Sequence, residues 1–128
     1  MKLWQKDIDV NKAVENFTIG RDREFDSLLA PFDVLGSIAH ALMLTKVGLL
    51  TKEEGSALVG ELKNIYKEVQ EEKFIINNNV EDIHSQIEFM LTERLGDTGK
   101  KIHSARSRND QVLVDIKLFL RSEIEKLV

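Results

Sequence analysis

The chain has 128 residues, 42% hydrophobic and 31% charged, with a net charge of −4. That size supports one domain with a core of its own, and the negative balance argues against a general nucleic-acid binder. Cysteine is absent, so disulfides and thiolate chemistry are excluded within these residues, in keeping with a cytoplasmic protein.

One proline, seven glycines and few alternating β-branched runs predict an all-α chain of antiparallel helix hairpins. Met1–Asp7 does not read as a signal peptide, because charges interrupt it and no apolar run comes after it. No apolar stretch approaches the length that spans a membrane. Residues 1–8 are expected to be extended. Asp9 is placed as the cap of a short helix with Val10, Ala13, Val14 and Phe17 on its face and Gly20 at its end. Asp22 caps a second short helix carrying Phe25, Leu28 and Leu29. Pro31 fits the first turn of a third, with Val34, Leu35, Ile38, Ala41, Leu42 and Thr45 inward. His40 within it is read as a structural side chain, and Gly48 stops the helix.

Thr51-Lys52-Glu53-Glu54 is a capping box. It opens a helix with Ala57, Leu58, Leu62, Ile65, Tyr66 and Val69 on one side, and the short link before it predicts an antiparallel hairpin. Phe74-Ile75-Ile76 leads into a turn at Asn77-Asn78-Asn79. The next helix runs from about Val80 to Leu95 with Ile83, Ile87, Met90 and Leu91 inward, and Gly96 closes it. Asp97–Lys101 is expected to be a loop. The last helix begins near Arg108, and Val112, Ile116, Phe119, Leu120, Ile124 and Leu127 form its stripe. Burying such side chains is worth about 1.5–3 kcal/mol each, or roughly 10 kcal/mol for the stripe. It is still in period at Val128, so this helix is expected to be the first part of a longer one, the alternative being a small helical domain with a frayed end.

The stretch Ile102–Gln111 is where these elements converge. From Ser104 to Asp110 it holds two arginines, two serines, an asparagine and an aspartate. Ser107 and Asp110 have the S-x-x-D spacing of a second capping box, which makes Arg108 and Asn109 first-turn residues. A helix start has free N–H donors and a partial positive charge. With two guanidinium groups and an amide beside it, it can hold a carboxylate or a phosphate. The alternative is a common cap flanked by solvated arginines.

A second constellation, Val80–Glu88, sets Glu81, Asp82 and Glu88 near His84. His84 and Glu88 are four apart and share a helix face. A metal half-site is one reading, but neither a cysteine nor a second nearby histidine completes it, and no metal is expected. The other reading is a helix start with acids in its first turn and one solvent-facing salt bridge.

His103-Ser104-Ala105-Arg106-Ser107-Arg108-Asn109-Asp110-Gln111 resembles a block typical of the argininosuccinate lyases, within the fumarase/aspartase superfamily, which reads H-T-(G/A)-R-S-R-N-D-Q. Other members of the superfamily carry S-S-D or S-S-N-D there. Glu81-Asp82-Ile83-His84 with Ile87-Glu88 is similar to the family's E-D-I-H-x-x-I-E, at the right distance upstream. Phe32–Ala41 is similar to its Y-D-I-x-G-S-x-A-H-A helix, and Phe25-Asp26 falls on its F-D. Lys2-Leu3-Trp4 looks like the opening of K-L-W-G-G-R-F, although Gln5-Lys6-Asp7 replaces G-G-R. The serine usual before the F-D is missing, and Asp22 falls near its place.

The resemblance implies a helical N-terminal lyase domain over residues 1–106 and the beginning of a central helical bundle over 107–128. It implies β-elimination of argininosuccinate to arginine and fumarate, without a cofactor, in a cytoplasmic homotetramer whose sites combine three subunits. No nucleic acid or membrane partner is implied. Carried onto this chain, substrate binding falls to Ser107, Arg108, Asn109, His84 and Asp26, with Asp82, Arg106 and Trp4 as further candidates. The family's base is a serine in a later S-S-x-M-P-x-K-x-N-P block, and a Thr-His region also comes later. Neither is in these residues, so the catalytic base and acid are expected beyond Val128 and the chain alone is expected to be inactive. Another fumarate-releasing lyase of the superfamily is the alternative enzyme. A non-catalytic helical module docking through the Val112–Leu127 stripe is the alternative without chemistry, and an inactive reuse of the lyase fold is a third.

Overall fold

A computed structural model of the protein describes residues 22–71 and 82–128. The expectations for residues 1–21, Trp4 and the Asp9 helix among them, lie outside the described residues, as do those for Phe74–Asn79, Val80 and Glu81. Among the described residues every element is helical: α1 (Asp22–Lys46), α2 (Lys52–Gln70), α3 (Ile83–Leu95), α4 (Asp97–Lys100), a 3-10 turn (Lys101–His103) and α5 (Arg108–Leu127).

α1 corrects the sequence reading. It runs unbroken through Pro31, so the separate helix expected from Asp22 is its first part. An interior proline costs a helix about 3 kcal/mol. Here Ala30 and Val34, on either side of it, are both buried in one core with Ala41 and Leu44. Full burial of Val34 and Leu44 alone, at about 1.5–3 kcal/mol each, offsets that cost. The inward face is also rotated from the expected one. Leu35 and Leu42 are exposed, Leu42 by 57%, while Asp33 and Ser37 are buried. Apolar periodicity sees only apolar residues, so a face closed partly by polar side chains is misplaced.

The joined helix has a further consequence. Asp26–Lys46 is long and apolar enough to cross a membrane by length and composition, contrary to the expectation from its two halves. Its buried Asp33 and Ser37 are bonded to α3, α5 and the segment before α5, the pattern of a helix packed inside a protein.

The α1–α2 hairpin forms as expected. Gly48 turns the chain at φ 85°, and Leu49 N–H returns to the Leu44 carbonyl at 2.9 Å. Thr51 and Glu54 complete both bonds of the capping box, each at 3.1 Å. Leu58, Leu62 and Ile65 are fully buried. Gly55 lets the helices touch: a Cβ there would lie 3.1 Å from Thr45 Cβ and collide with its Oγ1. Gly60, on the same helix, faces open space. Gly55→Ala is therefore expected to lower the unfolding free energy by about 1–3 kcal/mol through overpacking. Gly60→Ala should raise it by about 0.5–1 kcal/mol through backbone entropy. Urea denaturation of the pair checks both signs.

α3 starts at Ile83, three residues later than expected, because Asp82 is its cap: Asp82 Oδ1 accepts from Ser85 N–H at 2.8 Å. Ile83, Ile87 and Leu91 are buried. Beyond Gly96 the expected loop is instead α4 and the 3-10 turn. Gly99 sits so close to the Leu91–Thr92 backbone that a Cβ would be 2.6 Å from Thr92 N. Gly99, within the expected loop, is thus a packing residue, and buried Ile102 anchors the segment that leads to α5.

α5 begins at Arg108 behind the predicted box. Asp110 N–H donates to Ser107 Oγ at 3.2 Å, and Asp110 Oδ2 accepts from Ser107 N–H at 3.0 Å. These bonds hold the Asp110 carboxyl below the usual range. α5 lies against α1, where Phe32 and Phe119 meet edge to face at 5.9 Å and Gly36 admits Val114. Its buried residues are polar, Gln111 and Asp115. Of the expected stripe, Val112 and Phe119 are partly covered, while Ile116, Leu120, Ile124 and Leu127 are exposed among the described residues.

Candidate functional site

α1, α3 and α5 meet at three ionisable side chains. Asp33, His84 and Asp115 are 0%, 3% and 1% exposed. His84 Nδ1 is 2.7 Å from Asp33 Oδ1 and 3.5 Å from Asp115 Oδ2. Gln111 Nε2 donates to Asp33 Oδ1 at 3.2 Å. Burial works to raise the Asp33 pKa, but hydrogen bonds from His84 and Asp115, with the charges of His84 and Arg106, hold it below the usual range. Asp115 goes the other way. Burial first, then its bond to Asp33 and that neighbour's charge, push it up to about 10. At neutral pH the two carboxyls therefore share one proton, with the negative charge on Asp33.

Donor atoms of the three lie within 4.8 Å of one another, near enough to surround an ion. The 2.7 Å between His84 and Asp33 is nevertheless a hydrogen-bond separation. Ligands on a tetrahedral zinc sit about 3.3 Å apart. The group is built as a hydrogen-bonded cross-link between helices.

The start of α5 lies directly over this cluster. Arg108 Nη1 donates to Gln111 Oε1 at 2.9 Å and to Glu88 Oε1 at 3.4 Å. Glu88 also meets His103 Nδ1 at 3.2 Å. Arg108 Nη2 is buried and has no hydrogen-bond partner among the described residues. Arg106 Nη1 donates to Ser37 Oγ at 3.2 Å, while its buried Nε has no partner among the described residues. Burial lowers the Arg106 pKa, opposed by the charges of Asp33 and Glu88. The segment that presents these arginines turns at Ala105, where φ is 59°, and is held by His40 Nε2 on the Ser104 carbonyl at 2.7 Å. A cavity of about 550 Å³ opens between α1 and α5, with Arg106, Gln111, Asp115 and His40 on its polar side and Leu35, Met43 and Leu118 on its apolar side.

The residues singled out in the sequence take different places around this cluster. Arg108 and Arg106 carry the unpartnered guanidinium nitrogens. Ser107 and Asn109 are exposed in the first turn, with the Ser107 hydroxyl engaged in the cap. His84 is inside the cluster. Asp82 caps α3, and Asp26 Oδ2 accepts from Ile83 N–H at 3.4 Å, tying α3 to α1. Sequence reading did not single out Asp33, Gln111 or Asp115. The available signal was the i, i+4 pairing of polar residues on each helix, Asp33 with Ser37 and Gln111 with Asp115.

A family model described as lyase matches residues 3–128. The chain belongs to the lyase family. This lyase chain is 62% identical over 126 residues to an argininosuccinate lyase of Bacteroides thetaiotaomicron, covering 98% of the chain and 28% of that protein. It is 60% identical over 127 residues to the argininosuccinate lyase of Parabacteroides distasonis, covering 99% of the chain and 28% of the relative. With the argininosuccinate lyase of Thermotoga neapolitana it shares 44% over 126 residues, or 98% of the chain and 32% of the relative. The lyase chain thus spans about 28% of the length of the first two.

Proposed function

We propose that the protein is an argininosuccinate lyase, cleaving argininosuccinate to arginine and fumarate by β-elimination, and that these residues form part of its substrate-binding wall. The observation that carries the reading is the Arg108 guanidinium. It is fixed through Nη1 by Gln111 and Glu88, with a buried Nη2 that has no partner among the described residues. It stands at a capped helix start, where backbone donors and the helix dipole also favour an anion.

The elimination removes a proton from the carbon beside a carboxylate. The extra charge collects on that carboxylate as the guanidinium nitrogen leaves, and donors already aimed at it lower the barrier. Arg108 and Asn109 are the groups proposed to hold it. The base and acid come from outside these residues, in a cytoplasmic homotetramer whose sites combine subunits. The exposed apolar stripe of α5 supports that assembly, since it offers a helix face to a bundle. The same stripe favours a second reading, a helical docking module without chemistry.

The test is fumarate release from argininosuccinate by the full-length protein, beside the isolated 128-residue chain. Turnover by the former and none by the latter is expected. A folded, full-length protein that releases fumarate only from a different substrate points to another member of the superfamily. One that releases none from any leaves the docking module as the better account.

A further inference from the structure

We propose that Gln111 is a positioning residue for Arg108, relaying the fixed orientation of the buried Asp33 carboxylate to the guanidinium that faces the substrate. This rests on the reading that Arg108 holds a substrate carboxylate.

The amide of Gln111 is held at both ends, and each end admits only one orientation. On one side lies Asp33, 3.2 Å from Nε2. An ionised carboxylate only accepts, so the NH2 of Gln111 must face it. That turns Oε1 toward Arg108 Nη1, 2.9 Å away, and a guanidinium only donates. Flipping the amide would set donor against donor and acceptor against acceptor. Asp33 is itself fixed by His84 at 2.7 Å. The order therefore runs from α3 through α1 to Gln111 and reaches Arg108 one turn earlier on α5. Gln111 is buried, so water does not substitute for either partner. The remaining partner of Arg108 Nη1, Glu88, is longer at 3.4 Å and is shared with His103. The shorter bond to Gln111 fixes Nη1 and leaves the buried Nη2 as the guanidinium donor without a hydrogen-bond partner among the described residues. No other natural side chain of this length offers a neutral donor to Asp33 and a neutral acceptor to Arg108 together. Methionine offers neither, and glutamate offers both only while it is protonated.

The experiment is steady-state fumarate release by the full-length protein carrying Gln111→Met, Arg108→Leu and both. A displaced guanidinium is expected to lower kcat/KM about 10- to 100-fold for Gln111→Met. In the Arg108→Leu background the same change should cost under about twofold, because Gln111 acts through Arg108. Equal losses in both backgrounds would mean that Gln111 merely fills the core. That outcome overturns the inference and leaves the role of Arg108 standing. Full activity of Arg108→Leu would remove that role and the inference with it.

Gln111→Glu keeps the volume and provides a second readout should the methionine variant fail to fold. When neutral, its hydroxyl donates to Asp33 and its carbonyl accepts from Arg108. When ionised, it repels Asp33. Its activity should therefore fall as pH rises through an added ionisation that the parent lacks. A pH profile parallel to the parent's would overturn the inference.

Discussion

Replacing Arg108 by leucine in the full-length protein is expected to lower kcat/KM for fumarate release by about 10²–10³, or about 2.7–4 kcal/mol of transition-state stabilisation. The loss should appear in kcat as well as in kcat/KM, because in the proposed elimination charge gathers on the substrate carboxylate only as the proton leaves. Leucine keeps part of the stem packing and removes every donor. The side chain also leaves partners behind, since Gln111 Oε1 loses a 2.9 Å donor and Glu88 is left with His103. Stability should fall by about 1–3 kcal/mol in consequence, and a thermal melt measures that separately. An activity loss under about tenfold would remove Arg108 from the anion site.

Asp33→Ala is expected to have the largest effect on stability. Removing one partner of a buried charge cluster costs about 3–5 kcal/mol. Here His84 Nδ1 and Gln111 Nε2 both lose their acceptor at once. Asp115→Asn should be mild at neutral pH, because an amide replaces a carboxyl that already holds its proton. The pair also predicts a pH dependence of definite sign. Unfolded, Asp115 releases its proton near 3.8; folded, it keeps it up to about 10. Between those values the folded state holds the extra proton. Its contribution to stability is complete below the lower value and is lost as pH rises, by at most about 1.4 kcal/mol per pH unit. Asp33 acts oppositely and only at the acid end, where its contribution fades as pH falls through its lowered folded value. Urea midpoints from about pH 5 to about pH 9 should therefore decline in the parent and decline less in Asp115→Asn. Parallel declines would mean that Asp115 is not the proton holder.

What could be read from the residues alone was whatever local physics decides. Both capping boxes, at Thr51 and Ser107, formed with both bonds. Leu58, Leu62, Ile65, Ile83, Ile87 and Leu91 went inward as their spacing required. The failures share a cause in long-range packing. Pro31 and Gly99 carry strong local signals for interruption, and burial of Ala30, Val34 and Ile102 overrode them. Leu35 and Leu42 gave up the interior to Asp33 and Ser37, because groups from outside α1 satisfied those polar side chains. The site divided the same way. The arginines at the start of α5 were legible because a cap and a charge cluster lie within a few residues. The cluster beneath them was not. A lone acid such as Asp115 on an amphipathic helix looks solvated until α1 and α3 are packed against it.

The bonds of that cluster reach across 51 residues from His84 to Asp33 and 78 from Gln111 to Asp33. The capping boxes span only three. Helices and their caps arise within about a microsecond, whereas closing such large loops costs entropy that must be met before any bond is gained. The cluster is therefore expected to form after the folding barrier, which φ-values near zero for Asp33 and Gln111 variants would show. Interactions absent at the barrier act on the rate of leaving the native state and scarcely on the rate of reaching it. Variants of Asp33, His84 and Asp115 are then expected mainly to speed unfolding, and variants of the caps and the α1–α2 hairpin mainly to slow folding.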